Sequence, residues 1–180
     1  IRWADAPHGL PALAGAAIAA PTGTVATVHR PWPLHVAAFH VALDPISALF
    51  LAPLFVVSAA SSARGARSFG DDEHPDDAPR TRLFFGLATA AIALVLVARN
   101  LVLFLAAWEV MALAAYFLVM ADRASREARD AGRLYLFATH VSTLVLFAFF
   151  ALFRSLSGST ELVPIPAGVA GSDAGTALFV

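Results

Sequence analysis

The stretch LFFGLATAAIALVLVARNLVLFLAAWEVMALAAYFLVMA, Leu83–Ala121, carries two charged side chains in 39 residues, Arg99 and Glu109. As one straight helix it would run about 58 Å, roughly twice the hydrocarbon thickness of a bilayer. The chain therefore has to reverse within it. Arg99-Asn100 is the only polar pair in the run, so it predicts two antiparallel spans, 83–98 and 101–121, joined by a very tight turn.

The same arithmetic extends outward. Asp44-Pro45-Ile46-Ser47 reads as an acidic N-cap followed by proline at the first helical position, and the chain is then apolar to about Ser62. Pro53 lies inside that span and is expected to bend it rather than end it. After a polar loop, about 132–153 forms a fourth span that exits through Arg154 and a Ser/Gly turn. Residues 1–43 read as a weak first span, about 10–28 and dominated by Ala, Gly, Thr and Pro, followed by a loop. Residues 154–180 read as a loop and the beginning of a further helix. The fold class is all-α, a polytopic transmembrane helix bundle with its four-helix region at 44–153.

Composition agrees with lipid as the solvent. The chain has 180 residues, of which 59% are hydrophobic and 14% charged, against about 25% charged in a soluble domain. A net charge of −1 offers no basic surface for nucleic acid. Cysteine is absent, which excludes disulfides and thiolate metal sites. All twelve basic residues are Arg. The chain begins at Ile1 rather than Met, and Arg2-Trp3-Ala4-Asp5 lacks the form of a signal peptide, so it reads as a segment of a longer protein. Arg64, Arg67, Arg80 and Arg82 share one face of the bilayer with Arg123, Arg126, Arg129 and Arg133. Arg30, Arg99 and Arg154 fall on the other. The eight-Arg face is expected to be cytoplasmic.

An ionisable side chain near the bilayer centre costs roughly 2.5–3.5 kcal/mol on insertion scales, so it implies a function and a partner. Glu109 lies about 12 Å by helical rise from the outer end of its span. His140 lies at a similar depth from the opposite side, and the two could be level. Both helices are apolar all round, so periodicity does not say whether they face each other. A carboxyl and an imidazole at matched depth suit a proton relay. Tyr116, seven residues after Glu109 and on its face, and Tyr135 are candidate members of that relay, and equally candidates for interfacial aromatics. The plainer alternative is a protonated Glu109 hydrogen-bonded between helices. Thr139, Ser142 and Thr143 read more readily as packing residues than as ligands. His35 and His40 lack companion ligands, so no metal and no cofactor is expected. No phosphate loop, nucleophile elbow or zinc-protease motif is present.

Three motifs in order carry a resemblance. Asp44-Pro45-Ile46-Ser47-Ala48-Leu49-Phe50 resembles the D-x-L-S helix entry of the antiporter-like membrane subunits of complex I, Mrp antiporters and group 4 hydrogenases. Trp108-Glu109-Val110-Met111 with Tyr116-Phe117-Leu118 resembles that family's W-E-x-M…Y-F-L helix. Tyr135-Leu136-Phe137-Ala138-Thr139-His140 resembles the start of the following helix. The Thr-His pair and the Gly158-Ser159 exit look most like hydrogenase-4 or formate-hydrogenlyase membrane subunits.

The resemblance implies a multi-pass subunit of a prokaryotic cytoplasmic membrane that moves protons, or protons against sodium. Partner membrane and peripheral subunits would drive it by redox chemistry, and this chain would hold no catalytic centre of its own. Asp44, Ser47 and Trp108 match structural positions of the motifs. Glu109 matches a proton-pathway carboxylate that the family pairs with a lysine on a later helix. This chain has no lysine, so that partner is either replaced or lies beyond Val180. The competing reading is a non-transporting membrane anchor or assembly subunit with a neutral, buried Glu109.

Overall fold

The computed structural model describes residues 26–31, 39–68, 77–121 and 125–163. Among them lie two strands, β1 (Ala26–Arg30) and β2 (Phe39–Leu43), and four helices: α1 (Pro45–Ser68), α2 (Asp77–Val97), α3 (Leu101–Val119) and α4 (Arg126–Ser157). All four helices are long and apolar enough to cross a membrane.

Three of the four helices begin or end where the sequence supplies a backbone partner. The Asp44 carboxylate accepts from the Ser47 amide at 2.7 Å, which satisfies one of the free N–H groups of α1's first turn. The helix then runs unbroken through Pro53. Between α2 and α3 only residues 98–100 intervene, so the chain reverses at Arg99-Asn100. Asn100 is the N-cap of α3: it is extended (φ −127°, ψ 136°), and its Oδ1 accepts from Val102 N at 2.9 Å. Ser125 caps α4 through Ala128 N. Gly158, at φ 70°, closes α4 with its N–H on Arg154 O; that left-handed conformation is where glycine lacks the Cβ penalty.

The helices form an antiparallel up-and-down series. The Ser47 hydroxyl donates to Leu96 O at 2.8 Å, and further along Ser58 lies 3.3 Å from Thr89. Thr89 donates its own proton to Phe85 O, so Ser58 is the donor to Thr89. Between α2 and α3, Phe84 stacks on Phe117 with centroids 4.4 Å apart, and the Arg80 guanidinium lies 5.6 Å from both rings. Phe104 of α3 meets Phe150 of α4 edge-on at 5.4 Å. Together with Leu101, Leu105, Leu146 and Phe153 these rings form one of two buried clusters; the other joins Leu43, Ala48 and Leu51 to Leu96 and Val97.

These interior clusters are small, and much of the apolar surface faces outward. Leu49, Val56, Leu134, Phe137 and Leu144 are each 69–70% exposed. In water such patches would drive aggregation; in a membrane they face lipid or neighbouring helices. α2 and α4 also run beyond the apolar limits read from sequence, 83–98 and 132–153, toward the Arg-rich end. Arginine permits this because its stem stays apolar while its head reaches the interface. The 32 residues of α4 are about 48 Å long, more than a hydrocarbon core requires.

The segment before Asp44 adds an element that the reading of 1–43 as a weak span and loop did not contain. β1 and β2 pair antiparallel, with His29 opposite His40. β2 continues the pairing onto the α2–α3 turn: Arg99 N donates to His40 O at 3.0 Å, and Val41 bridges Ala98. Residues 26–28 of the candidate span are thus strand. Its remainder lies outside the described residues, as do most of 154–180 and the loop residues 69–76 and 122–124.

Candidate functional site

The four helix ends nearest Arg99 meet in a polar knot. The Arg99 guanidinium pairs with the Asp44 carboxylate and lies 3.4 Å from the Ser47 hydroxyl. The Asp44 carboxyl is held below the usual carboxylate range, first by the Ser47 amide and then by the Ser47 hydroxyl and Arg99, against the opposing effect of partial burial. On the other flank of the turn, Leu101 N donates to Thr160 O and Leu162 N to Arg99 O, both at 2.9 Å. Asn100 is completely buried. Its amide nitrogen donates to Glu161 Oε1 at 3.2 Å, while Glu161 Oε2 lies 2.5 Å from His40 Nδ1. One residue pair, Arg99-Asn100, therefore fastens β2, the start of α1, the α2–α3 turn and the exit from α4. This knot carries an ion pair, side-chain hydrogen bonds and caps, which are the means of holding a fold together. Asp44 and Ser47 were singled out from sequence as motif residues; the roles of His40 and Glu161 were not.

Glu109 occupies a different environment, in the middle of α3. Its Oε1 is buried and has no hydrogen-bond partner among the described residues. Trp108 beside it stacks on Phe104, with centroids 6.1 Å apart. Glu109 falls four residues after Leu105 and seven before Tyr116. Leu105 packs in the cluster shared with α4, and the Tyr116 ring comes against Gly132 of α4. Residues four and seven apart share a helix face, so Glu109 lies on the face of α3 that meets α4.

His140 is exposed, and its Nδ1 lies 2.8 Å from Leu136 O of its own helix. No hydrogen bond joins it to Glu109. Tyr116 is half-buried and meets Phe117 edge-on at 5.3 Å. Tyr135 is half-buried one turn before Thr139, whose hydroxyl donates back to Tyr135 O at 2.9 Å. The four candidates for a relay are thus distributed along α3 and α4 without a direct chain of hydrogen bonds. The polar group buried on α4 is instead Thr143, 6% exposed, whose Oγ1 also has no partner. The signal for it was present in the sequence as a threonine in an apolar helix, but threonine most often bonds its own preceding turn, as Thr139 and Ser142 do here.

Four helices long and apolar enough to cross a membrane, in antiparallel series among the described residues, with one buried carboxyl oxygen on the third, define a polytopic helical membrane fold. Residues 98–177 match the family model described as NADH:quinone oxidoreductase/Mrp antiporter, TM. Two curated relatives, the uncharacterized proteins MT0090 and Rv0083 of Mycobacterium tuberculosis strains CDC 1551 / Oshkosh and ATCC 25618 / H37Rv, are each 29% identical over 147 residues. The alignment covers 81% of this chain and 22% of each relative, so the chain spans about a fifth of their length. Among solved structures, a chain of the membrane-bound sulfane sulfur reductase, an archaeal respiratory membrane complex, superposes with a TM-score of 0.60 at 19% identity. That match covers 89% of this chain and 26% of the other. It shows a shared fold.

Proposed function

We propose that this chain is part of an antiporter-like, proton-translocating membrane subunit of a redox-driven complex, with Glu109 as a proton-carrying carboxylate. The observation that carries the reading is the buried, unpartnered Glu109 oxygen on a membrane-spanning helix. A carboxylate there is costly unless it binds a proton or a cation. The family match over 98–177 includes this residue. The respiratory complex with the shared fold supports assembly with redox partner subunits, and the motif pattern favours a hydrogenase-type partner. The complex would lie in a prokaryotic cytoplasmic membrane with its Arg-rich loops inside. The transported species are protons, alone or in exchange for sodium.

His140, Tyr116 and Tyr135 then serve as stations linked to Glu109 by water. The chain contains no lysine, so the basic partner suggested by the family resemblance comes from another part of the subunit. The test is Glu109→Gln in the full complex: proton pumping is expected to fail while the complex assembles. The alternative, an anchor with a permanently neutral Glu109, draws support from the absence of any ionic partner for it among the described residues. It predicts that the same variant pumps normally.

A further inference from the structure

α3 and α4 cross as an antiparallel pair whose register is fixed at both ends. Near the Arg99 end, the Phe104 ring meets the Phe150 ring. Toward the opposite end Gly132 lies against Met120, so closely that an added Cβ would fall 2.5 Å from the Met120 sulfur. Counting inward from either contact puts Glu109 opposite residues 143–145 of α4. Leu144 and Val145 are 69% and 66% exposed, whereas Thr143 is buried. Thr143 also falls on the stripe of buried residues Gly132, Phe150 and Phe153 with which α4 covers α3.

Two facing helices therefore present one buried oxygen each at the same level, Glu109 Oε1 and Thr143 Oγ1. They are the two buried side-chain oxygens without a partner among the described residues. Buried polar groups in native proteins are almost always paired, directly or through ordered water. Thr143 is exceptional on its own helix as well. The hydroxyls of Thr139, Ser142 and Ser155 each donate to a carbonyl one turn back, the usual refuge for a hydroxyl in an apolar helix. That of Thr143 does not.

From this juxtaposition we infer that Thr143 is the positioning residue for the Glu109 carboxyl, holding it through one water molecule between the two helices. The hydroxyl and the carboxyl are not in direct hydrogen-bond contact, and an ordered water between two such groups can satisfy both. The water orients the carboxyl toward the α3–α4 interface and gives its proton a defined path of exit. The inference rests on the proposed transport role of Glu109, and it goes beyond it by naming the group that sets the carboxyl's geometry.

The test uses the assembled complex with Thr143→Val, which keeps the branched shape and removes the hydroxyl, and Thr143→Ser, which restores the hydroxyl. Two quantities are read: the proton-pumping rate, and the infrared carboxyl band of Glu109, identified as the band that Glu109→Gln abolishes. Thr143→Val is expected to slow pumping about tenfold, the scale of one lost buried hydrogen bond, and to move the Glu109 band to higher wavenumber. Thr143→Ser is expected to return both toward wild type. If the Val variant fails to assemble, Thr143→Ala carries the same comparison. An unmoved Glu109 band in the Val or Ala variant, or equal pumping loss in the Ser and Val variants, overturns the positioning role. Normal pumping by Glu109→Gln overturns the transport reading instead, so the two failures are distinguishable.

Discussion

Among individual residues, Asn100 bears the heaviest structural duty. It is completely buried, caps α3 with its oxygen and reaches Glu161 with its nitrogen. Asn100→Ala removes the cap and leaves Glu161 without that donor, and is expected to destabilise the folded chain by about 1–3 kcal/mol. The unfolding midpoint in detergent measures it. Asn100→Asp keeps the capping oxygen but sets a carboxylate against Glu161, and is expected to be destabilising as well. Asp44 makes a pH-dependent contribution. Its folded-state pKa is depressed, so its stabilisation is present above the unfolded value of about 3.9 and lost as pH falls through the folded value. Stability curves of wild type and Asp44→Asn are expected to separate above about pH 4 and to converge below it. A constant gap across that range would show that the carboxylate's charge is irrelevant.

Among elements, the close approach of α3 and α4 depends on Gly132. A Cβ there would fall 2.9 Å from Met120 Cγ as well as against its sulfur. Methionine is flexible, so Gly132→Ala is expected to be tolerated as Met120 swings aside. Gly132→Leu is expected to lower the unfolding temperature, and the added change Met120→Ala to restore part of it. Additive losses in the double variant would place the strain elsewhere. The helices themselves were legible in the sequence because bilayer thickness sets their length, and the 39-residue run forced a reversal at its one polar pair. The β1–β2 hairpin was not, since five-residue strands gain their identity from a distant partner, here the Arg99 turn. The burial of Thr143 was also hidden. Within the spans 101–121 and 132–153 apolar residues fall on every side of the helix, so only packing shows which side meets which.

For the whole molecule, the two ends of the bundle differ in kind. One end is the hydrogen-bonded knot of Asp44, Arg99, Asn100, His40 and Glu161. At the other, the helices carry seven arginines near their ends, Arg64, Arg67, Arg80, Arg82, Arg126, Arg129 and Arg133. That asymmetry predicts the orientation in a membrane. Because the chain has no cysteine, single cysteines at Ala63 and Ser155 report it directly. An impermeant thiol reagent applied outside intact cells is expected to label Ser155→Cys and to spare Ala63→Cys; the reverse pattern would invert the topology.

The most direct test of the central claim is proton pumping by the complete complex carrying Glu109→Gln, measured beside its assembly and its electron-transfer rate. The account predicts an assembled complex whose pumping is lost or falls at least tenfold, because glutamine keeps the shape and hydrogen bonding of the side chain but cannot exchange a proton. Wild-type pumping in that complex would contradict it.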